Sequence, residues 1–166
     1  ALPTSVDLEY YVTFEGAPGW LELHSFSMGL SATSGGFGGG GAGAGTATAS
    51  DVALLLGSSA QILELTDAVD LGTHLKHFEI EAYYAGGKEP VLVDQYYFED
   101  VLVTGLQTSG ANSNSVSLDY AKFSHGHVEY EADGSKGDTT VAGWDFVENT
   151  SFAGKEVAAN AEGAKL

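Results

Sequence analysis

Arginine and cysteine are absent from this 166-residue chain, and only six lysines face 23 aspartates and glutamates. Without cysteine there is no disulfide, no thiolate nucleophile and no thiolate-held zinc or iron–sulfur cluster. Without arginine, the planar fork that grips phosphate or carboxylate through two parallel hydrogen bonds is unavailable. The formal net charge is −17 although only 17% of the residues are charged, against an average of about 25%. The imbalance is a shortage of cations, not an excess of charge. Affinity for nucleic acid comes from Lys and Arg neutralising phosphates, so the composition excludes a nucleic-acid partner. An anionic membrane surface repels the chain for the same reason. No apolar run approaches the ~18 residues of a membrane-spanning helix, which argues against membrane insertion. Partners are expected among proteins, or among neutral or cationic ligands. The sequence begins at Ala1 without Met, which fits removal of a leader peptide and simple Met excision equally.

What is present suffices for one domain. Apolar residues make up 43%, with eight Tyr, eight Phe and two Trp, and a chain of this length buries about 70% of its unfolded surface. Glycine crowds into Ser34 to Gly45, where each Gly loses extra backbone entropy on ordering. The spacing predicts a long loop over 34–50. A phosphate-cradling role fails there, because no Lys-Ser/Thr follows the glycines.

Elsewhere the pattern is β. Val6 to Glu15 alternates, and Gly16-Ala17-Pro18-Gly19 reads as a turn. Trp20 to Leu30 follows, with Trp20, Glu22, His24, Phe26 and Met28 on one expected face and Leu21, Leu23, Ser25 and Ser27 on the other. Thr46 to Leu56 reads as a strand, and Ser58 or Ser59 can cap a helix from Ala60 to about Val69. Leu75 to Tyr84, Val91 to Thr104, Ser115 to Glu131 and Thr139 to Val147 complete the strands. Gly86-Gly87 and Asp133 to Asp138 mark hairpins, and a bend is expected near Glu99-Asp100. The predicted fold is a small antiparallel β-barrel or two-sheet sandwich with one short helix over 1–149, then a tail over 150–166.

Candidate chemistry is sparse. His125 and His127 share a strand face by their i, i+2 spacing, and His74 and His77 form a second pair. A metal site needs three or four ligands, and nothing in the sequence brings these pairs together. Asp133 to Asp138 lacks the alternating oxygens and closing Glu of a calcium loop. The carboxylate pairs Glu79/Glu81, Glu99/Asp100 and Glu129/Glu131 could in principle serve glycoside hydrolysis, but such pairs in an acidic protein suit a solvated face. No nucleophile, base and orienting group can be assembled. The chain reads as a non-enzyme without a cofactor. Tyr83-Tyr84 and Tyr96-Tyr97 could stack on sugars, except that strand parity turns one ring of each pair inward.

Four segments carry a resemblance. Gly19-Trp20-Leu21-Glu22-Leu23, running on to Ser25-Phe26-Ser27-Met28-Gly29, is similar to a Gly-Trp-Ile-Glu-Val and Ser-Phe-Ser-Trp-Gly strand. Phe98-Glu99-Asp100-Val101-Leu102-Val103 resembles a Leu-Glu-Asp-Val-Leu-Val strand. The run Ser115 to Phe123, with Ser117, Leu118, Tyr120 and Lys122, resembles Ser-Val-Ser-Leu-Asn-Phe-Ala-Lys-Ile. Gly143-Trp144-Asp145 matches a closing Gly-Trp-Asp. Order and approximate spacing agree with the haemolysin-coregulated protein (Hcp) family, the tube subunits of type VI secretion systems. The chain also departs from it. Met28 replaces a usual Trp, the segment Asp51 to Ala60 lacks the family's Lys, Asp and Ala-Ser-Pro, and the 34–50 loop is unusually rich in Gly.

The resemblance implies a β-barrel with one helix, homohexameric rings stacked into a hollow tube, and secretion. It also implies sheath, spike and effector proteins as partners, effectors being carried in the lumen. On this reading the assembly and stacking residues are Gly35, Gly36, Phe37, Gly38, Gly39, Gly40, Gly41, Ala42 and Gly43, with Glu156 and Glu162 from the tail. Two alternatives stand beside it. One is an Hcp-like subunit of a permanent extracellular tube or filament, exported by a signal peptide. The other is a monomeric secreted β-sandwich that binds carbohydrate.

Overall fold

The computed structural model describes residues 8–16, 19–32, 47–49, 51–57, 62–63, 65–67, 72, 74–84, 91–109, 113–133 and 136–152. Ten strands occur among them: β1 (Leu8–Phe14), β2 (Leu21–Ser27), β3 (Leu30–Ala32), β4 (Ala47–Ala49), β5 (Val52–Leu56), β6 (His74–Tyr84), β7 (Val91–Ser109), β8 (Ser113–Tyr130), β9 (Lys136–Asp145) and β10 (Thr150–Ser151). Neighbours pair in the order β10-β9-β8-β5-β2-β1-β6-β7, and β7 also pairs with β8. That last pairing closes β8, β5, β2, β1, β6 and β7 into a six-stranded antiparallel barrel. Strands β9 and β10 extend the sheet outside the ring as a flange. Residues 62–63 and 65–67 are helical.

The long strand β8 makes this geometry possible. Its first half pairs with β5, from Val52↔Leu118 to Leu56↔Asn114, and its second half pairs with β9, from Lys122↔Asp145 to Tyr130↔Lys136. The opposite edge pairs with β7 along its length. One strand therefore belongs to both barrel and flange.

The barrel is filled by side chains. Val12, Phe14, Leu23, Val52, Leu56, Phe78, Ile80, Phe98, Val101, Val116 and Leu118 are all nearly or fully buried, and Ile62 and Leu65 of the helical segment join the same cluster. Each such side chain stabilises the fold by about 1.5–3 kcal/mol relative to exposure. Phe14 stacks on Phe78 with centroids 5.6 Å apart. A second, smaller cluster of Tyr83, Leu92 and Val128, with Tyr11 and Tyr130 against it, lies apart from this core.

The strict alternation expected from the sequence breaks in two places. In β2 the pairing with β5 shifts between Leu23 and Ser25. A bulge adds a residue to one strand and reverses which side chains face inward after it. Leu21 and Leu23 are buried, and beyond the bulge Phe26 packs on the same core. The expected grouping of Phe26 with Glu22 and His24 is corrected accordingly, since both of those are exposed.

The second break crosses three strands. Leu75 and Phe78 of β6, Phe98 and Val101 of β7, and Tyr120 and Phe123 of β8 all enter the core, three residues apart instead of two. Pairing nevertheless runs through without a shift, as Leu75↔Val101↔Tyr120 and His77↔Glu99↔Lys122. All three strands take their extra residue on one row, at Lys76, Asp100 and Ala121. Asp100 adopts φ of 52°, a left-handed conformation that Asp tolerates better than most residues. The bend expected near Glu99-Asp100 is present there, and a separate register shift follows between Val103 and Gly105.

Three further expectations are corrected. Thr46 to Leu56 is not one strand, because β4 pairs with β3 in a separate two-stranded sheet while β5 enters the barrel. Val91 to Thr104 continues as strand to Ser109. Sheet pairing also runs past Asn149, because Thr150 and Ser151 pair with Asp145 and Trp144. Ser58, Ser59 and Gly86-Gly87 lie outside the described residues.

At Gly143 a Cβ would clash with the backbone carbonyls of Phe152 and Phe123. Gly143→Ala is therefore expected to destabilise the fold by about 1–3 kcal/mol, as overpacked sites do, read as a lower urea midpoint. Gly105→Ala is the control, since its added Cβ would meet only Ser117 Cβ at 3.9 Å. Its midpoint should move little.

Candidate functional site

Glu99, Lys122 and Asp145 come from three different sequence segments, and strand pairing sets them side by side across β7, β8 and β9. Lys122 Nζ lies 3.8 Å from Glu99 Oε2 and 3.7 Å from Asp145 Oδ2, and 5.6 Å from the centroid of the Phe152 ring. Asp145 is buried. Its Oδ1 accepts the backbone N–H groups of Val147 at 2.9 Å and Glu148 at 3.0 Å. These amides, the Glu148 one foremost, together with the Lys122 charge hold its carboxyl below the usual range. The Tyr97 hydroxyl donates to Glu99 Oε1 at 3.0 Å, and burial, reinforced by that carboxylate, pushes the Tyr97 phenol up. The cluster ends β9, caps the turn after it and directs the chain into β10. It holds strands together.

The other motif residues are placed as follows. Gly19 presents its carbonyl to the Thr13 hydroxyl at 3.0 Å. Leu118, Tyr120, Phe26 and Trp144 pack in or against the barrel core. Trp20, Gly29 and Ser117 are half-buried, and Glu22 is exposed.

The histidines divide. His125 Nε2 and His127 Nδ1 each donate to one oxygen, Asp94 Oδ1, both at 2.8 Å. Neutral imidazoles can do this with the proton on Nε2 in one ring and Nδ1 in the other. Tyr96 stacks on His125 with centroids 4.2 Å apart, and edge-on contacts continue the chain of rings through Phe26 to Tyr10. Asp94 is mostly buried, which alone would raise its pKa, yet the two imidazoles hold its carboxyl below the ordinary value. The sequence paired His125 with His127 but offered no sign of Asp94, which lies 31 residues earlier and reaches them only through the β7–β8 register. His74 is exposed, whereas the Nδ1 atom of His77 is buried without a hydrogen-bond partner. Among the described residues no group of three or more His, Asp and Glu is arranged to hold a metal ion.

The carboxylate pairs sit in unlike surroundings. Glu81 is buried and accepts the Tyr83 hydroxyl, Glu79 is raised above the usual carboxylate range mainly by burial, and Glu129 and Glu131 are exposed. Tyr83 is fully buried and Tyr96 is packed against the core, so neither ring is a sugar platform. Gly35 to Gly43, Glu156 and Glu162 lie outside the described residues. No helix among those described is long and apolar enough to cross a membrane.

The fold is a closed antiparallel barrel with a helical segment packed on its core and a flange joined by an ion-paired lysine. The chain belongs to the Hcp family: the family model described as "Type VI secretion system effector, Hcp" matches residues 11–127. Solved structures agree in fold. A structure described as a type six secretion system protein superposes with a TM-score of 0.78 at 20% identity, covering 88% of this chain and 100% of the other. Hcp1 from Salmonella typhimurium gives 0.69 at 18% identity, covering 87% and 99%. Hcp3 from Pseudomonas aeruginosa gives 0.58 at 15% identity, covering 84% and 99%. No curated protein matches the chain.

A carboxyl held low in the fold stabilises above its unfolded pKa, and that contribution disappears as pH falls through the folded value. The stability lost in Asp94→Asn should therefore be present at pH 5 and shrink as pH falls below about 4, where ordinary Asp titrates. Urea unfolding of both proteins at stepped pH checks this. A difference that grows on acidification would contradict it.

Proposed function

We propose that this chain is a non-catalytic tube subunit, in which six copies close into a ring and the rings stack into a hollow conduit. The observation that carries the reading is family membership through the barrel, supported by the cluster that joins Glu99, Lys122 and Asp145, all residues of the Hcp-like motifs. The barrel with its β9–β10 flange is the ring-forming body, with the tail beyond it as an extension. The Gly-rich segment Gly35 to Gly43 makes ring-to-ring contact, because Gly and Ala allow close backbone approach, and Glu156 and Glu162 add to that contact. Effectors travel in the lumen, and sheath and spike proteins are the expected outer partners. The product is secreted, and no cofactor is needed.

Charge sets the condition for assembly. Six chains at −17 each bring about −100 charges into one ring, and such self-repulsion opposes compact association. Salt shortens its reach to a Debye length of about 8 Å at physiological strength. Rings and tubes should therefore strengthen with added salt.

Negative-stain microscopy and sedimentation across a salt series test this, with six-fold rings expected to rise with salt. A monodisperse monomer at high concentration and high salt would overturn the assembly reading. Deleting 35–45 should leave rings intact and abolish stacking. Unchanged stacking would remove the loop from the interface.

A further inference from the structure

Strand β9 has a neighbour on both sides for only part of its length. One edge pairs with β8 from Lys136 to Asp145. On the other, β10 reaches only Asp145 and Trp144, and Phe152 donates its N–H to the Gly143 carbonyl at 3.1 Å. From Lys136 to Ala142 that second edge has no partner among the described residues. Its N–H and C=O groups are open to another strand, the usual hazard of a sheet edge.

The sequence guards one end of this edge and leaves the other bare. Lys136 and Asp138 bring charge to the first end, and the pairing with β8 shifts there between Val128 and Tyr130. Charges and bulges are common guards of an edge. From Thr139 to Ala142 there is no charge and no Pro, and pairing with β8 is regular. Thr139, Thr140 and Val141 are β-branched residues, which favour extended pairing. Asp138, Thr140 and Ala142 are exposed.

A matching edge must be of similar length. Every barrel strand is flanked on both sides, and outside the barrel β3, β4 and β10 are only two or three residues long. Among the described residues, the one edge of equal length is the β9 of a second copy. An edge that meets itself about a two-fold axis forms a closed pair that grows no further.

We propose that two copies of this chain join edge to edge through β9, antiparallel and centred on Thr140. Charge selects this register. With Thr140 opposite Thr140 of the second copy, Thr139 faces Val141 and Asp138 faces Ala142, so no carboxylate meets another. The two Asp138 residues then stand about 13 Å apart at the usual strand rise, beyond the Debye length of about 8 Å. Centring on Thr139 would bring them to about half that distance. Centring on Val141 would set Asp138 against Trp144, where β10 already pairs. In a chain of net charge −17, whose self-repulsion opposes association, an uncharged edge is where two copies approach most easily. A ring contact joins two unlike surfaces, whereas this one joins like to like. It therefore stands independently of the ring, linking either two rings or two free chains.

The intact chain lacks cysteine, so Thr140→Cys introduces a single thiol. Opposed residues of an antiparallel pair have Cα atoms about 4.5–5.5 Å apart, within the span of a disulfide. Oxidation of this variant should give a reducible dimer on a denaturing gel, while Glu148→Cys, exposed but off the edge, should stay monomeric. Thr140→Glu sets two carboxylates opposite each other and should weaken the untethered dimer about twofold to fivefold in sedimentation, the range for one like-charged pair. An unchanged urea midpoint would confirm that this variant folds. Equal cross-linking from both cysteine variants would overturn the proposal, as would a dimer that Thr140→Glu leaves untouched. Six-fold rings without a cross-link in Thr140→Cys would overturn it and leave the ring reading standing. Cross-linked dimers without rings would do the reverse.

Discussion

Closure of the barrel by the β7–β8 pairing is the constraint from which the other features follow. Closing a sheet requires its strands to tilt and stagger, and local breaks in alternation bend a strand where the curve needs it. Here the break falls on a single row, where β6, β7 and β8 each take one residue out of alternation at Lys76, Asp100 and Ala121. Because three neighbours break together, no hydrogen-bonded register is lost. Asp100 carries the visible part of the adjustment, with φ of 52°. A lone break shifts the pairing with its neighbour, as it does between β2 and β5. The shared break keeps Phe98 and Val101 both in the core.

The same row separates two functions of β8. Before it, the strand is part of the barrel wall beside β5, and after it the strand carries the flange beside β9. The Glu99–Lys122–Asp145 cluster stands immediately beyond the break, where β9 begins to pair. A flange strand needs fastening because it lacks the closure that protects the barrel strands. Lys122 supplies charge across three strands, Asp145 caps the turn, and Gly143 leaves room for Phe152 to approach. Glu99, Lys122 and Asp145, which belong to three separate motif segments in sequence, meet here as the fastening of a sheet edge.

This explains what could and could not be read beforehand. Alternation in Leu8–Phe14 and in Val116, Leu118 and Tyr120 exposed the strands directly, and apolar content with one helix-like stretch pointed to a barrel with a helix. The bend near Asp100 was legible because two acids interrupt an apolar run. The reversal at His24 was not, since a bulge changes backbone pairing without changing residue type. The break between β4 and β5 left one sign, the turn-forming pair Ser50-Asp51 between Ala49 and Val52. The Asp94 contact to His125 and His127 depends on register between strands far apart in sequence, which periodicity within one strand cannot supply.

The missing arginine takes on a structural meaning once the carboxylates are followed to their partners. Glu9, Glu81 and Glu99 each accept a hydroxyl from a tyrosine two residues away on the same strand, Tyr11, Tyr83 and Tyr97. Asp94 is served by two imidazoles, Asp145 by backbone N–H groups and Lys122, and Glu15 by the N–H of Lys76 at 2.6 Å. Residues spaced by two lie on one face of a strand, so a Tyr–Glu pair needs no partner strand to form. Tyrosines that are hydrogen-bonded and partly buried stay neutral donors, as the raised phenols of Tyr11 and Tyr97 reflect. The consequence is electrostatic. An arginine partner would cancel each carboxylate's charge while satisfying it, whereas a tyrosine or amide satisfies it and leaves the charge in place. The fold thus solves its local hydrogen-bonding requirement without reducing the net −17. Charge neutralisation is passed outward, to counterions or to whatever cationic groups a partner brings to the surface.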